Sequence, residues 1–240
     1  MTTALIFDVF GTLLHFKDDE RPEHPWQVLA AFLDRHGSTV SVDEIRGIRD
    51  ASVERHFAVA ADVYPDIDMR LVYRELVDAA LPGHPDRDSL AEEAAWEFRV
   101  AATEYRSVYA GAHSALAELG KRYRLAIASN TQRVYTEREL AAESLDDFFE
   151  VIVFSSDVER VKPEPLLLER TLSELDVAAR DALYIGDNPH DDYVAATAAG
   201  IPVILLRHEA PYDAAELGVP RSIPIATDYD SLLALIDERA

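Results

Sequence analysis

The chain has no cysteine. That excludes disulfides, thiolate-ligated metals and a cysteine nucleophile, and it is the usage expected of a reducing cytoplasm. Positive charge is short: 23 Lys and Arg face 45 Asp and Glu, for a formal net charge of −22. Lysine is scarcest, confined to Lys17, Lys121 and Lys162. Such a surface repels phosphate backbones and anionic lipid, which argues against nucleic-acid and membrane partners. Also missing is any run near the ~18–20 consecutive apolar residues of a membrane span. The apolar N-terminus, MTTALIFDVFGTLL, has no basic lead and is interrupted by Asp8, so it reads as a buried strand rather than a secretory signal.

What is present suffices for a core. The 240 residues are 48% hydrophobic, enough for one large domain or for a core plus an insert, as a monomer or a homodimer. Acid excess with scarce lysine resembles the proteins of salt-accumulating halophiles, whose dense carboxylates hold water while salt screens their repulsion.

Residues 4–7 (ALIF) form a short apolar run closed by Asp8 and Gly11-Thr12, the pattern of a parallel strand buried on both faces. From Trp26 to about Tyr105 the period is helical, with no convincing strand. Trp26, Leu29, Ala30, Phe32 and Leu33 share one face, and Ser41-Val42-Asp43-Glu44 is a capping box. Pro65 and Leu81-Pro82-Gly83-His84-Pro85 divide the stretch. Residues 17–106 therefore read as a helical insert between the two parts of a core, 1–16 and 107–240. Strand and helix then alternate. Strands are expected over 125–128, 151–154, 183–185 and 203–206 and helices over 163–175 and 191–199, with residues 229–238 closing the chain and Ser129-Asn130-Thr131 suited to an N-cap. The expected fold is α/β: a doubly wound, Rossmann-like parallel sheet carrying an inserted helical cap.

In such sheets ligands bind beyond the carboxyl ends of the strands, near the topological switch point. The residues that follow the apolar runs are Asp8, Ser129-Asn130, Lys162, and Asp187 with Asp191 and Asp192. Asp8 can act as a carboxylate nucleophile, or cap the turn that follows it. Gly11 permits a tight turn that aims backbone amides at an anion, with Thr12 supporting the loop. Ser129 and Asn130 can hold an oxyanion at a helix N-terminus, or simply cap the helix. Lys162 would neutralise the nucleophile and the group transferred to it. Four carboxylates against one lysine call for a cation, and an oxygen-ligated dication such as Mg²⁺ is the natural one. Asp191 can instead be ordinary helix N-terminal charge.

The segments FDVFGTLL, IASNT, VKPEP and YIGDNPHDD, in this order, resemble the four motifs of the haloacid dehalogenase-like superfamily, and residues 17–106 resemble its helical (class I) cap. The resemblance spans essentially the whole chain. It implies a hydrolase with a covalent intermediate on Asp8, aided by Ser129 and Lys162, with Gly11, Thr12 and Asn130 around a small-molecule substrate. It also implies Mg²⁺ held by Asp8, the backbone carbonyl of Phe10 and Asp187, with Asp192 bound directly or through water.

The match is a hybrid. Phosphatases of the superfamily carry a second Asp two positions after the nucleophile, as acid and then base; this chain has Phe10, which resembles the 2-haloacid dehalogenases. Those enzymes need no metal and have a Ser- and Asn-rich segment where this chain has Gly186-Asp187-Asn188, which resembles the Mg²⁺-dependent phosphatases. They also use an arginine after the first motif, for which Arg35, Arg46 and Arg49 are candidates. His15 or His190 can stand in for the missing proton donor. Glu159 occupies a place where the family often has Gly. The leading expectation is a cytoplasmic, Mg²⁺-dependent phosphatase, with a metal-independent haloacid dehalogenase as the alternative. A catalytically weak binding or regulatory protein is a third.

Overall fold

Four consecutive apolar side chains can all be hidden only in a strand covered on both faces, and Ala4–Phe7 (β1) is such a strand, buried at every position. The computed structural model describes residues 2–60, 63–208 and 218–239; residues 1, 209–217 and 240 of the expected core and 61–62 of the expected insert lie outside them. From β1 the chain runs into β2 (Leu14–Asp18) and then four helices, α1 (Glu23–Arg35), α2 (Val42–Val59), α3 (Met69–Ala80) and α4 (Arg87–Ala102). It returns through β3 (Thr103–Val108), antiparallel to β2. Next come α5 (Ala112–Leu119), β4 (Arg124–Ser129), α6 (Arg133–Ala142), β5 (Val151–Phe154), α7 (Ser155–Val158) and α8 (Leu166–Leu175). The chain closes with β6 (Ala182–Gly186), α9 (Asp192–Ala198), β7 (Val203–Leu206), β8 (Ile225–Ala226) and α10 (Tyr229–Asp237).

Among the described residues, six strands form one parallel sheet in the order β5-β4-β1-β6-β7-β8. The winding goes from β1 outward to β5, then resumes on the other side at β6. The switch point is therefore the carboxyl end of β1, between β4 and β6. Side chains of β1 alternate between two cores. Leu5 and Phe7 pack with Leu116 of α5 and Leu232 of α10, whereas Ala4 and Ile6 pack with Leu168 of α8 and Ala195 of α9. This is the expected α/β architecture, helices covering both faces of a parallel sheet. No helix among the described residues is long and apolar enough to cross a membrane.

Helices α1–α4 bury a core of their own, including Trp26, Leu29, Leu33, Tyr73, Leu76 and Phe98, and Val134 and Tyr135 of α6 belong to the same cluster. The capping box at Ser41 is made as expected, with the Glu44 carboxylate accepting from the Ser41 N–H at 2.9 Å. Three expectations need correcting. The helical period does not persist to residue 106: the chain turns extended at Thr103 and pairs with β2, so a two-stranded ribbon joins the four helices to the sheet. Its residues, Thr-Glu-Tyr-Arg-Ser-Val, show no apolar alternation because both faces are partly wet. Helix α6 starts at Arg133, and neither Ser129 nor Asn130 caps it; the Arg133 N–H donates to Ser156 Oγ at 3.0 Å. Helix α8 starts only after Pro165, since the residue before a proline is pushed out of the helical region.

A buried charge network fastens the ribbon to both sides. Arg99 of α4 donates through Nε to Glu139 of α6 at 2.8 Å and through a terminal nitrogen to Asp18 of β2 at 2.5 Å. Arg106 of β3 lies 3.9 Å from Glu139 and 3.1 Å from Glu143. Glu139 is fully buried. Removing one member of a buried pair strands the other's charge. Glu139→Ala should therefore lower unfolding free energy by about 3–5 kcal/mol in urea titrations, and Glu139→Gln, which keeps the hydrogen bonds, by less.

Candidate active site

The carboxyl ends of β1, β4 and β6 open into a cavity of about 240 Å³. Asp8, Phe10, Ser129, Asn130, Lys162 and Asp187 line it, together with Asn188, Asp191 and Asp192. Asp8 follows β1, and its backbone N–H donates to Ile185 of β6 at 2.9 Å, so the sheet ladder itself fixes the residue. Lys162, on the loop after β5 and α7, is buried, and its ammonium donates to Asp8 Oδ1 at 2.7 Å, Asp192 Oδ1 at 2.6 Å and the Tyr184 hydroxyl at 2.8 Å. Asp192, in the first turn of α9, accepts through Oδ2 from the Asn188 N–H at 2.8 Å. Asp8, Asp187 and Asp192 each offer an oxygen within 4.8 Å of the others.

Burial of so many carboxylates shifts their protonation. Burial is the main force that lifts Asp8 to about 6; the Asp192 charge adds to it, while Lys162 and Ser129 pull the other way. Burial and the charges of Asp8 and Asp192 lift Asp187 to about 7 against Arg207 and Lys162. Burial alone would lower Lys162, but Asp192 and Asp8 hold it well above the ordinary lysine value, so it remains cationic. Three converging carboxylate oxygens with one ammonium between two of them suit a hard, oxygen-ligated dication. Asp187 is the carboxylate least engaged with protein donors; Asp192 has both oxygens occupied by Lys162, Tyr184 and Asn188. Asp191 is bound by His190 and Asn188.

Two glycines make this convergence possible. A Cβ on Gly186 would stand 2.4 Å from Asp192 Oδ2, and one on Gly11, where φ is +80°, 2.4 Å from Asp187 Oδ2. The Gly11 amide donates to Leu14 and the Thr12 amide to Val9. What Gly11 contributes is thus room for Asp187 rather than an anion-binding donor. The Thr12 carbonyl accepts from the Tyr229 hydroxyl at 2.9 Å and from His208 Nε2 at 3.0 Å, which pins the loop from behind. The Asn130 amide, in the cavity lining, clasps the Lys162 backbone, accepting from N–H at 2.7 Å and donating to C=O at 3.1 Å.

Phe10 presents a half-buried ring to the cavity, 4.7 Å from Phe16 and with the Arg99 guanidinium 5.8 Å from its centroid. Neither suggested proton donor is in the cavity lining. His15 is exposed and stacks on Tyr105 and Tyr109, and His190 is exposed beside Asp191. Of the candidate arginines, Arg46 and Arg49 lie over Trp26 and Arg35 over Phe32, away from Phe10. The arginine beside Phe10 is Arg99, which helical spacing alone presents as one more polar residue of α4. Tyr184 was equally hidden, though a polar-tipped side chain in the apolar run ALYIG is a signal that can be read. Glu159, where the family often has Gly, adopts φ +54°; the left-handed conformation accounts for glycine at that place. Its carbonyl accepts from the Asp66 N–H at 3.0 Å, and Val161 donates to Tyr64 at 3.1 Å, so the loop ahead of Lys162 is held by the α2–α3 connection.

The comparisons with known proteins agree with this picture. Residues 71–206, more than half of the chain, match the model of the haloacid dehalogenase-like hydrolase family. Pyrophosphatase PpaX of Bacillus thuringiensis (strain Al Hakam) is 34% identical over 131 residues, 54% of this chain and 54% of the relative, so the match spans about half the length of the curated relatives. Among solved structures, a 2-haloacid dehalogenase from Pseudomonas syringae pv. Tomato DC3000 is similar over 100% of both chains, with 20% identity and a TM-score of 0.67. A HAD phosphatase from Thermococcus onnurineus is similar over 98% of both chains, with 20% identity and a TM-score of 0.57. At these identities the structural likeness speaks for the fold alone. The glycine geometry carries its own test. Gly186→Ala should push the Asp192 carboxylate aside and destabilise the protein by about 1–3 kcal/mol, seen as a lowered urea midpoint; an unchanged midpoint would refute the close approach.

Proposed function

Because the chain belongs to the haloacid dehalogenase-like hydrolase family, we propose that it is a phosphohydrolase that uses Asp8 as its nucleophile on a small phosphorylated metabolite. The observation that carries this reading is the cluster of Asp8, Asp187 and Asp192 around Lys162. With Oδ1 held by Lys162, Asp8 keeps its other oxygen for attack on phosphorus. The P–O bond to the leaving group breaks as Asp8 forms an acyl phosphate, and water then attacks phosphorus, breaking the Asp8 O–P bond, releasing inorganic phosphate and restoring the carboxylate. Lys162 compensates negative charge through both steps, and Ser129 lines the same cavity as Asp8. Asp8 and Asp187 would hold Mg²⁺ directly, with the Phe10 carbonyl, and Asp192 would act from behind, through Lys162 or a water. Mg²⁺ bound there supplies charge neutralisation for the phosphoryl group. Helices α1–α4 are the cap that covers the cleft and excludes water. The absence of cysteine supports a cytoplasmic setting, and the charge of −22 supports function at high salt.

Phe10 has no proton to give, so the substrates favoured are those whose leaving group needs none, such as acyl or aryl phosphates. The same residue supports a second reading, dehalogenation, in which halide departs without a proton. Hydrolysis of p-nitrophenyl phosphate in high salt separates the two. The expected result is turnover that requires Mg²⁺, is lost in EDTA and is abolished by Asp8→Asn. Turnover absent under all conditions, with chloride released from 2-chloropropionate, would replace the first reading by the second. Phe10→Asp should raise hydrolysis of an alkyl phosphate such as glycerol phosphate by about a hundredfold, measured as released phosphate.

A further inference from the structure

A lysine ammonium has three N–H bonds to place, and in a buried site each needs an acceptor. For Lys162 the three short contacts are Asp8 Oδ1 at 2.7 Å, Asp192 Oδ1 at 2.6 Å and the Tyr184 hydroxyl at 2.8 Å; the Ala128 carbonyl is longer, at 3.4 Å. Two of these acceptors are charged and belong to the cluster already described. The third is a neutral phenol from the interior of β6, fully buried. Its own proton has two places to go, the Ala128 carbonyl of β4 at 3.0 Å and Asp192 Oδ1 at 2.9 Å. Tyr184 stands beside Ile6 of β1 in register, and Ile6 is two residues before Asp8. Its side chain thus reaches from β6 past β1 to β4, and the Lys162 ammonium lies 5.4 Å from its ring centroid.

We propose that Tyr184 is a positioning residue, whose hydroxyl fixes the third N–H of Lys162 and so holds the ammonium on one oxygen of Asp8, leaving the other oxygen turned to the substrate. The geometry gives the reason. Two carboxylates alone leave the third N–H without a short acceptor and the ammonium able to lean toward either anion. A third acceptor on a rigid strand removes that freedom. When the Asp8 carboxylate is bound to phosphorus and loses its own charge, Asp192 and Tyr184 remain to keep Lys162 in place for the return step. The role in catalysis rests on the phosphohydrolase reading; the placement of Lys162 does not.

The test uses the full chain labelled with ¹⁵N-lysine. Only three lysines are present, and the side chains of Lys17 and Lys121 are 56% and 69% exposed, so a protected ammonium resonance belongs to Lys162. The wild-type protein is expected to show that resonance with slow solvent exchange, and Tyr184→Phe to speed exchange by about tenfold, the equivalent of one lost hydrogen bond. In p-nitrophenyl phosphate hydrolysis the same variant should lower kcat by about ten- to a hundredfold while KM changes less than about twofold. An unprotected Lys162 in the wild-type protein, exchange unaltered by Tyr184→Phe, or faster exchange with unchanged kcat would each overturn the proposal. If wild-type protein hydrolyses no phosphate ester, the phosphohydrolase reading fails; chloride release from 2-chloropropionate then replaces it as the kcat readout. Should that fail too, the ammonium exchange alone decides whether Tyr184 holds Lys162.

Discussion

A buried ammonium must find counter-charge or give up its proton, and the mouth of this sheet is arranged around the ammonium of Lys162. Its partners come from two regions of the chain: Asp8 at the end of β1, and Tyr184 inside β6 with Asp192 at the start of α9. Each can reach the lysine only if β1, β4 and β6 are adjacent and in register. The loop that carries Lys162 is itself clasped by Asn130, beyond β4. The ion cluster is therefore a consequence of the doubly wound order as much as a source of chemistry. Remove the lysine, and Asp8 and Asp192 lose the cation they share, beside a third carboxylate, Asp187.

Much of this was legible beforehand, for identifiable reasons. A four-residue apolar run closed by Asp8 and a glycine turn points to a strand buried on both faces, and it placed Asp8 at a strand end. Lysine is so rare that Lys162 stood out from composition alone. The ribbon of β2 and β3 was not legible, because strands wet on both faces show no alternation, and pairing partners 85 or more residues apart leave no local trace. The clasp made by Asn130 escaped for a different reason. A side-chain amide beside a strand end can serve an anion or a backbone, and only the approach of the Lys162 loop shows the second. Gly11 likewise reads as a turn residue in sequence, whereas the need for it is the Asp187 carboxylate packed against its α-carbon.

Phe10 marks where the cleft departs from a uniform acidic site. Phe10 lines the cavity alongside the carboxylates, and its ring leans on Phe16 with the guanidinium of Arg99 nearby. Arg99 belongs at once to the buried network that joins α4, α6 and the ribbon. Phe10 thus lies near the residue that fastens the four helices to the ribbon.

The loop ahead of Lys162 carries a further consequence. Backbone bonds link Glu159 to Asp66 and Val161 to Tyr64, and the Gln132 side chain accepts from Met69 N–H and donates to Asp66. The connection between α2 and α3 is in this way stitched to the segment that delivers the ammonium. A rigid displacement of the four helices cannot leave that segment behind: either the stitches part or Lys162 is carried along. Mechanically, the four helices and the segment that carries Lys162 are geared together.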